Sequence, residues 1–80
     1  HITARQVATV VADFFGLTLT DLQSHTRTKD LVYARHIAMY LARKMTPMSL
    51  PAIGRTFGGR DHTTVLHACE KIEALLKLDD

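Results

Sequence analysis

Five consecutive polar residues follow a pair of glycines in the last third of the chain. They are Arg60, Asp61, His62, Thr63 and Thr64. Each side chain can donate or accept a hydrogen bond, and none belongs to the apolar helical stripe that begins at Val65. Side chains of these types form the hydrogen bonds by which proteins distinguish base edges in duplex DNA. The tract is therefore a candidate ligand-binding surface.

The charge of the chain is concentrated in its middle. The 80 residues carry a net charge of +2, but residues 25–62 contain seven Lys or Arg against two Asp, a net charge of +5. The preceding 24 residues carry −1 and the last 18 carry −2. A basic segment attracts polyanions, of which phosphate backbones are the commonest. The charge alone fits an ordinary solvated surface equally well.

The first half of the chain contains the signals of two helices and a polar loop. Thr3 and Gln6 form a capping-box pattern that predicts a helix ending at Gly16. Its inward residues are expected to be Val7, Val10, Val11, Phe14 and Phe15. Thr18 and Asp21 favour one short helical turn over a strand, and residues 24–29 contain no apolar side chain, which predicts an exposed loop.

A long central helix is predicted from about Asp30, as its N-cap, to Met45. Helical spacing assigns its inward stripe to Ala34, Ile37, Ala38, Leu41 and Met45. The same spacing assigns another face to Arg35, Met39 and Arg43.

Two further helices, at about residues 49–57 and 61–77, are separated by a short turn that contains Gly58 and Gly59. Ser49 is the expected cap of the first. The expected buried residues are Leu50, Ile53, Phe57, Val65, Ala68, Cys69, Ile72 and Leu75. Two helices joined in this way form a helix-turn-helix, whose second helix enters the major groove with its N-terminal residues against base edges. The sequence thus predicts one all-α domain over residues 1–80, a small helical bundle.

Other classes of function find little support in the residues. The single cysteine, Cys69, excludes an intramolecular disulfide, and no stretch approaches the roughly 20 apolar residues of a membrane span. His62 and His67 are five residues apart, which does not suit a shared metal on a helix. No phosphate-binding Gly-Lys-Ser/Thr motif and no catalytic set is recognisable. We expect no enzyme, no metal and a reducing, cytoplasmic setting.

The turn and the last helix resemble a known family, the C-terminal DNA-binding domain of the bacterial replication initiator DnaA. The similarity is strongest in one tract, Gly58-Gly59-Arg60-Asp61-His62-Thr63-Thr64-Val65-Leu66-His67-Ala68. It extends upstream through Ser49-Leu50-Pro51-Ala52-Ile53-Gly54 and through Ala34-Arg35-His36-Ile37-Ala38-Met39-Tyr40-Leu41, and covers essentially the whole chain. It implies a helix-turn-helix of the Trp-repressor type that binds short asymmetric boxes at replication origins and some promoters.

The resemblance also implies roles for individual residues. Asp61, His62 and Thr63 match positions that contact bases in the major groove, and Arg27 matches an arginine that enters the adjacent minor groove. The positions expected at the DNA backbone are Lys29, Arg35, His36, Arg43, Ser49, Leu50, Arg60 and Thr64. Two positions depart from the family: His36 stands where Gln is usual, and Glu70 where a basic residue is frequent.

The implied partner is double-stranded DNA, with replication regulators as further expected partners, no membrane contact, and a monomeric isolated domain acting at the nucleoid. No cofactor is expected in this domain, because the family's ATP-binding AAA+ module would lie upstream and is absent from this chain. Two alternatives stay open from the residues: a helix-turn-helix transcription regulator, and a helical module whose polar face binds a protein.

Overall fold

The computed structural model describes residues 1–78. These residues form five helices and no strand, which confirms the predicted all-α bundle. The helices are α1 (Ala4–Phe14), α2 (Leu19–Gln23), α3 (Lys29–Met45), α4 (Leu50–Thr56) and α5 (His62–Leu78). None of the described helices is both long and apolar enough to cross a bilayer.

The first two helices begin where the sequence predicts. The Thr3 hydroxyl accepts a hydrogen bond from the backbone N–H of Gln6 (3.2 Å), whose side chain accepts in return from the backbone N–H of Thr3. Thr18 and Asp21 form the same reciprocal pair at α2. Because each box satisfies two N–H groups that the helix leaves unpaired, residues 18–23 adopt a helical turn with Thr18 as its cap.

One face of α1 differs from its prediction. Val7 and Val11 are buried as expected, but Val10 and Phe14 are 68% and 83% exposed. The remaining buried residues of α1 are Ala4, Ala8 and Ala12. Because alanine side chains are small, they let α1 approach its neighbours closely. The buried stripe of α1 is therefore centred on the alanines, and Val10 and Phe14 lie outside it.

The central helix α3 begins two residues earlier than predicted, because Thr28 rather than Asp30 precedes it as the N-cap. Ala34 and Ala38 are buried as predicted, whereas Met45 is 53% exposed. Arg35 and Met39, which the sequence assigned to another face, are both buried. The reason is that α3 packs against α1, α2, α4 and α5, and a helix covered on several sides does not keep a single buried stripe.

The helix-turn-helix consists of α4, the turn at residues 57–61, and α5. The Ser49 hydroxyl accepts from the N–H of Ala52 and caps α4 as predicted. The turn passes through Gly58 and Gly59 with φ of +76° and +78°, a conformation that favours glycine. Its end is fixed by a hydrogen bond from the N–H of Arg60 to the carbonyl of Gly54 (3.0 Å).

The buried face of the motif is close to the prediction. Side chains that are fully or nearly fully buried are Ile53, Phe57, Val65, Ala68, Cys69 and Ile72. Leu50 is only partly buried, against the same core. Leu75 was wrongly predicted to be buried, because it borders an open depression between α3 and α5 and is 46% exposed.

Candidate nucleic-acid interface

The opening turn of α5 is directed away from the core. Asp61, His62, Thr63 and Thr64 are all exposed, and Val65 is the first buried side chain of the helix. Asp61 precedes the helix, and its carboxylate accepts a hydrogen bond from the N–H of Thr64 (2.8 Å). This bond fixes the start of α5, so the four polar side chains are presented from a rigid turn.

The same bond changes the acidity of the Asp61 carboxyl. Hydrogen bonds from the backbone and side chain of Thr64 lower the pKa of Asp61, because they stabilise the charged form. Asp61 is therefore an ionised, acceptor-only group at neutral pH. One of its oxygens caps the helix, and the carboxylate as a whole stays exposed to a ligand.

The loop between α2 and α3 carries Arg27 on an exposed segment. Residues 25–28 are all exposed, in agreement with the prediction of a polar loop. Lys29, the first residue of α3, is exposed as well.

A groove of about 440 Å³ separates this loop from α5. Its lining contains four cations and two histidines, with no acidic side chain, and we call it the basic groove. These residues are His25, Arg27, Arg35, His36, Arg60 and Lys71. Thr64 of α5 also lines it. The structure thus brings the loop arginine and Thr64, in the opening turn of α5, to the lining of one cationic groove.

Arg35 is buried, although helical spacing placed it on a face other than the inward stripe of α3. Its side chain is only 4% exposed. The guanidinium donates to the carbonyl oxygens of Leu22 (2.8 Å), Ser24 (2.9 Å) and Thr26 (3.2 Å). The resemblance implies a contact between Arg35 and the DNA backbone; in the free domain its guanidinium is bonded to three carbonyls and also lines the basic groove.

Arg60 is half-buried and is likewise bonded to backbone carbonyls. Its guanidinium donates to the carbonyls of Ser24 (2.6 Å), Gln23 (3.5 Å) and Phe57. These carbonyls lie at the C-terminal ends of α2 and α4, where the negative end of the helix dipole favours a cation. Arg60 therefore connects the α4–α5 turn to the start of the loop that carries Arg27.

The electrostatics of the basic groove are those of closely spaced like charges. Burial lowers the pKa values of both Arg35 and Arg60. The nearby charge of Arg60 lowers the pKa of Arg35 further, and the charge of Arg27 lowers that of Arg60. Burial also lowers the pKa of His36, with smaller contributions from Lys71, Arg35 and Arg60. A phosphate in the groove would relieve this repulsion.

The remaining predicted positions lie around the groove or away from it. Ser49 is exposed at the start of α4, and Leu50 follows it, partly buried. Arg43 is exposed in the last turn of α3, beside Leu66 and Glu70 on α5, and does not line the basic groove.

Two ionisable residues of the groove, Lys71 and His25, were not among the predicted sites. Lys71 follows Thr64 by seven residues, two helical turns, so helical periodicity would have placed both on one face. His25 lies in a segment recognisable only as a polar loop, and only the packing of that loop brings it to the groove. Among residues 1–78, no group of three or more His, Cys, Asp or Glu side chains could hold a metal ion.

A protein-family comparison agrees with this geometry. The family model described as the bacterial DnaA protein helix-turn-helix matches residues 4–72, from the start of α1 to the middle of α5. The match contains the basic groove and the exposed turn of α5. The chain belongs to the bacterial DnaA helix-turn-helix family, the DNA-binding domain of a replication initiator.

Proposed function

We propose that this domain binds double-stranded DNA sequence-specifically, at the short boxes of a replication origin, and supports the initiation and regulation of chromosomal replication. The observation that carries the proposal is that Arg27 and Thr64, in the opening turn of α5, line the same basic groove. The positive potential of this groove attracts one phosphate backbone, and Arg27 and the start of α5 then face the two grooves of the same duplex.

In this arrangement the start of α5 enters the major groove. The Asp61 carboxylate accepts a hydrogen bond from a cytosine N4 amino group, the Thr63 methyl packs on a thymine methyl, and His62 donates to an acceptor edge. Arg27 enters the neighbouring minor groove, where narrow A·T-rich geometry strengthens the negative potential.

The backbone contacts fix the orientation of the domain without specifying sequence. We assign them to side chains that are at least partly accessible: Lys29, His36, Arg43, Ser49, Leu50 and Thr64. Arg35 is left out because it is buried, and Arg60 because its guanidinium is bonded to carbonyls.

The proposal includes a single domain acting as one monomer per box, without metal or nucleotide. ATP would be bound by the family's separate AAA+ module, and replication regulators are proposed as further partners. The site of action is the chromosome in the cytoplasm.

Selection from a pool of randomised duplexes tests the proposal. We expect the 80-residue chain to enrich one short asymmetric sequence, and Thr63→Ala to weaken binding to it by roughly 1 to 3 kcal/mol while random DNA is bound almost as before. Equal losses on both duplexes would exclude base recognition by Thr63. Failure to bind any duplex at low salt would instead favour a protein-binding module, and genomic footprints away from the origin would favour a transcription regulator.

A further inference from the structure

Two arginine side chains hold the loop that carries Arg27, and they approach it from different elements. Arg35 extends from α3 and Arg60 from the α4–α5 turn, and both donate to the carbonyl of Ser24, at 2.9 and 2.6 Å. We call this arrangement the arginine clasp. Within residues 1–78, the hydrogen bonds of Arg60 join the α4–α5 turn to the end of α2 and the start of the loop. A further side-chain hydrogen bond, from the Gln23 amide to the carbonyl of Thr56 (2.9 Å), joins the ends of α2 and α4.

We propose that Arg35 and Arg60 are positioning residues that set the distance between the minor-groove loop and the major-groove helix, so that the domain recognises both grooves as one unit. This inference rests on the proposed function. It assigns the two arginines to the geometry of recognition rather than to contact with phosphate.

The bonds of Arg35 follow the chain from the end of α2 into the loop, at every second residue. The guanidinium of Arg35 binds carbonyls at residues 22, 24 and 26, the last one immediately before Arg27. The backbone that carries Arg27 is therefore attached to α3 even though residues 25–28 are exposed. A loop fixed in this way loses less conformational freedom on binding, and this lowers the cost of association.

The clasp also fixes the position of the loop relative to α5. Arg60 immediately precedes Asp61, whose backbone carbonyl and carboxylate both accept hydrogen bonds from the first turn of α5. A movement of the loop relative to α5 would have to break the bonds from Arg60 to Ser24 and Gln23. Because the contacts in both grooves must form at the same time, the distance that the clasp fixes bears directly on specificity.

Arginine is required by the geometry of the clasp. Each guanidinium donates to three carbonyls spread over several residues, which its planar fork allows and a lysine ammonium on a flexible stem does not reproduce. Among residues 1–78, no carboxylate lines the groove beside either guanidinium, so carbonyl dipoles compensate the buried charge of Arg35 and the half-buried charge of Arg60.

The test is Arg60→Lys, which keeps the charge and removes the fork. We expect the preference for the selected box over random DNA to fall about tenfold, with binding to random DNA changed less than about threefold. Amides of residues 25–28 should exchange with solvent faster. Arg55→Lys is the matched control, because Arg55 is exposed on α4, and it should leave both the preference and the exchange unchanged.

Two results would overturn the inference. If Arg60→Lys weakens binding to the selected box and to random DNA equally, Arg60 is a phosphate contact. If the preference for the box over random DNA is unchanged, the clasp has no part in recognition. If Arg60→Lys does not fold, Thr26→Gly loosens the loop at an exposed position and must lower the preference in the same way. Failure of the proposed function is distinguishable, since the unaltered chain would then show no sequence preference at all.

Discussion

Gly58 lies against the carbonyl of Gln23, so closely that a Cβ atom at position 58 would overlap the carbonyl oxygen. The turn before α5 is thereby packed on the end of α2, beside the arginine clasp. Gly59, the next residue, has almost the same φ but nothing within 4 Å of its Cβ position. The two glycines therefore separate the effect of backbone conformation from the effect of close packing.

Substitution of these glycines should destabilise the fold unequally. We expect Gly59→Ala to lower the free energy of unfolding by about 1 to 2 kcal/mol because of its left-handed backbone. Gly58→Ala should cost about 1 to 3 kcal/mol more, because the carbonyl of Gln23 must move. Urea denaturation of both variants measures the difference. Equal losses of unfolding free energy in the two variants would show that the close contact with Gln23 does not add to the cost of Gly58→Ala.

Asp61 has two proposed tasks, capping α5 and accepting from a base, and two substitutions separate them. Asp61→Asn keeps a cap acceptor, so helicity and the unfolding midpoint at pH 7 should stay close to those of the unaltered chain. The added amide donors should lower the preference for cytosine at the contacted position roughly tenfold. Asp61→Ala should lower both stability and preference.

The acidity of Asp61 adds a pH dependence that the same variants test. The folded pKa is lowered, so the folded chain binds fewer protons than the unfolded chain as the pH falls through the ordinary value of 3.8. The stability that Asp61 contributes is thus present above that pH and is lost below it. Denaturation of Asp61→Ala between pH 3 and 6 should show a weaker loss toward acid. An identical acid profile would contradict the cap.

Arg27 and Arg43 should differ in what they contribute to DNA binding. Arg27→Ala should weaken binding to the selected box by roughly 1 to 3 kcal/mol, because it removes a contact in the minor groove. Arg43→Ala should weaken binding to all duplexes and reduce the slope of log affinity against log salt by about 1. Titrations at several salt concentrations compare them. A uniform loss for Arg27→Ala would make Arg27 a backbone contact only.

His36 should couple DNA binding to proton uptake. Burial and the nearby cations Lys71, Arg35 and Arg60 lower its pKa below the ordinary 6.5 in the free domain, and a bound phosphate would raise it again. Affinity for DNA should therefore rise as the pH falls from about 7.5 to 5.5. The stability of the free domain should fall over the same acid range, because the unfolded chain takes up the proton more readily.

Replacement of His36 by glutamine isolates this effect. His36→Gln should flatten the pH dependence of DNA affinity and of stability, whereas His67→Gln, an exposed position on α5, should leave it unchanged. Fluorescence anisotropy at constant ionic strength measures the affinity. A pH profile that survives in His36→Gln would assign the proton to another group.

Phe14, in α1, and Phe57, which directly follows α4, should respond differently to truncation because their burial differs. Phe57 is fully buried, and Phe57→Ala should cost about 3 to 5 kcal/mol. Phe14 is 83% exposed and forms a T-shaped ring pair with Phe15, with the ring centroids 5.2 Å apart. Phe14→Ala should cost about 1 kcal/mol or less. Thermal unfolding followed by circular dichroism distinguishes the two, and a large loss for Phe14→Ala would contradict its exposure.

The sequence by itself determined the elements of this protein, because the signals that begin and end helices are local. The capping boxes at Thr3 and Thr18, the cap at Ser49 and the glycines at 58 and 59 all act within a few residues of where they stand. The exposed tract at the start of α5 was predictable for the same reason, since it precedes the apolar stripe that begins at Val65.

Only the tertiary structure decided which side chains are buried and which meet across the groove. Helical spacing placed Arg35 off the inward stripe of α3, yet it is buried, because α3 packs against four helices and the guanidinium meets carbonyls that lie 9 to 13 residues away. Lys71 and Arg27 come to the same groove from positions 44 residues apart in the chain. Such neighbours depend on how helices pack against one another, and hydrophobic periodicity within one helix carries no information about that packing.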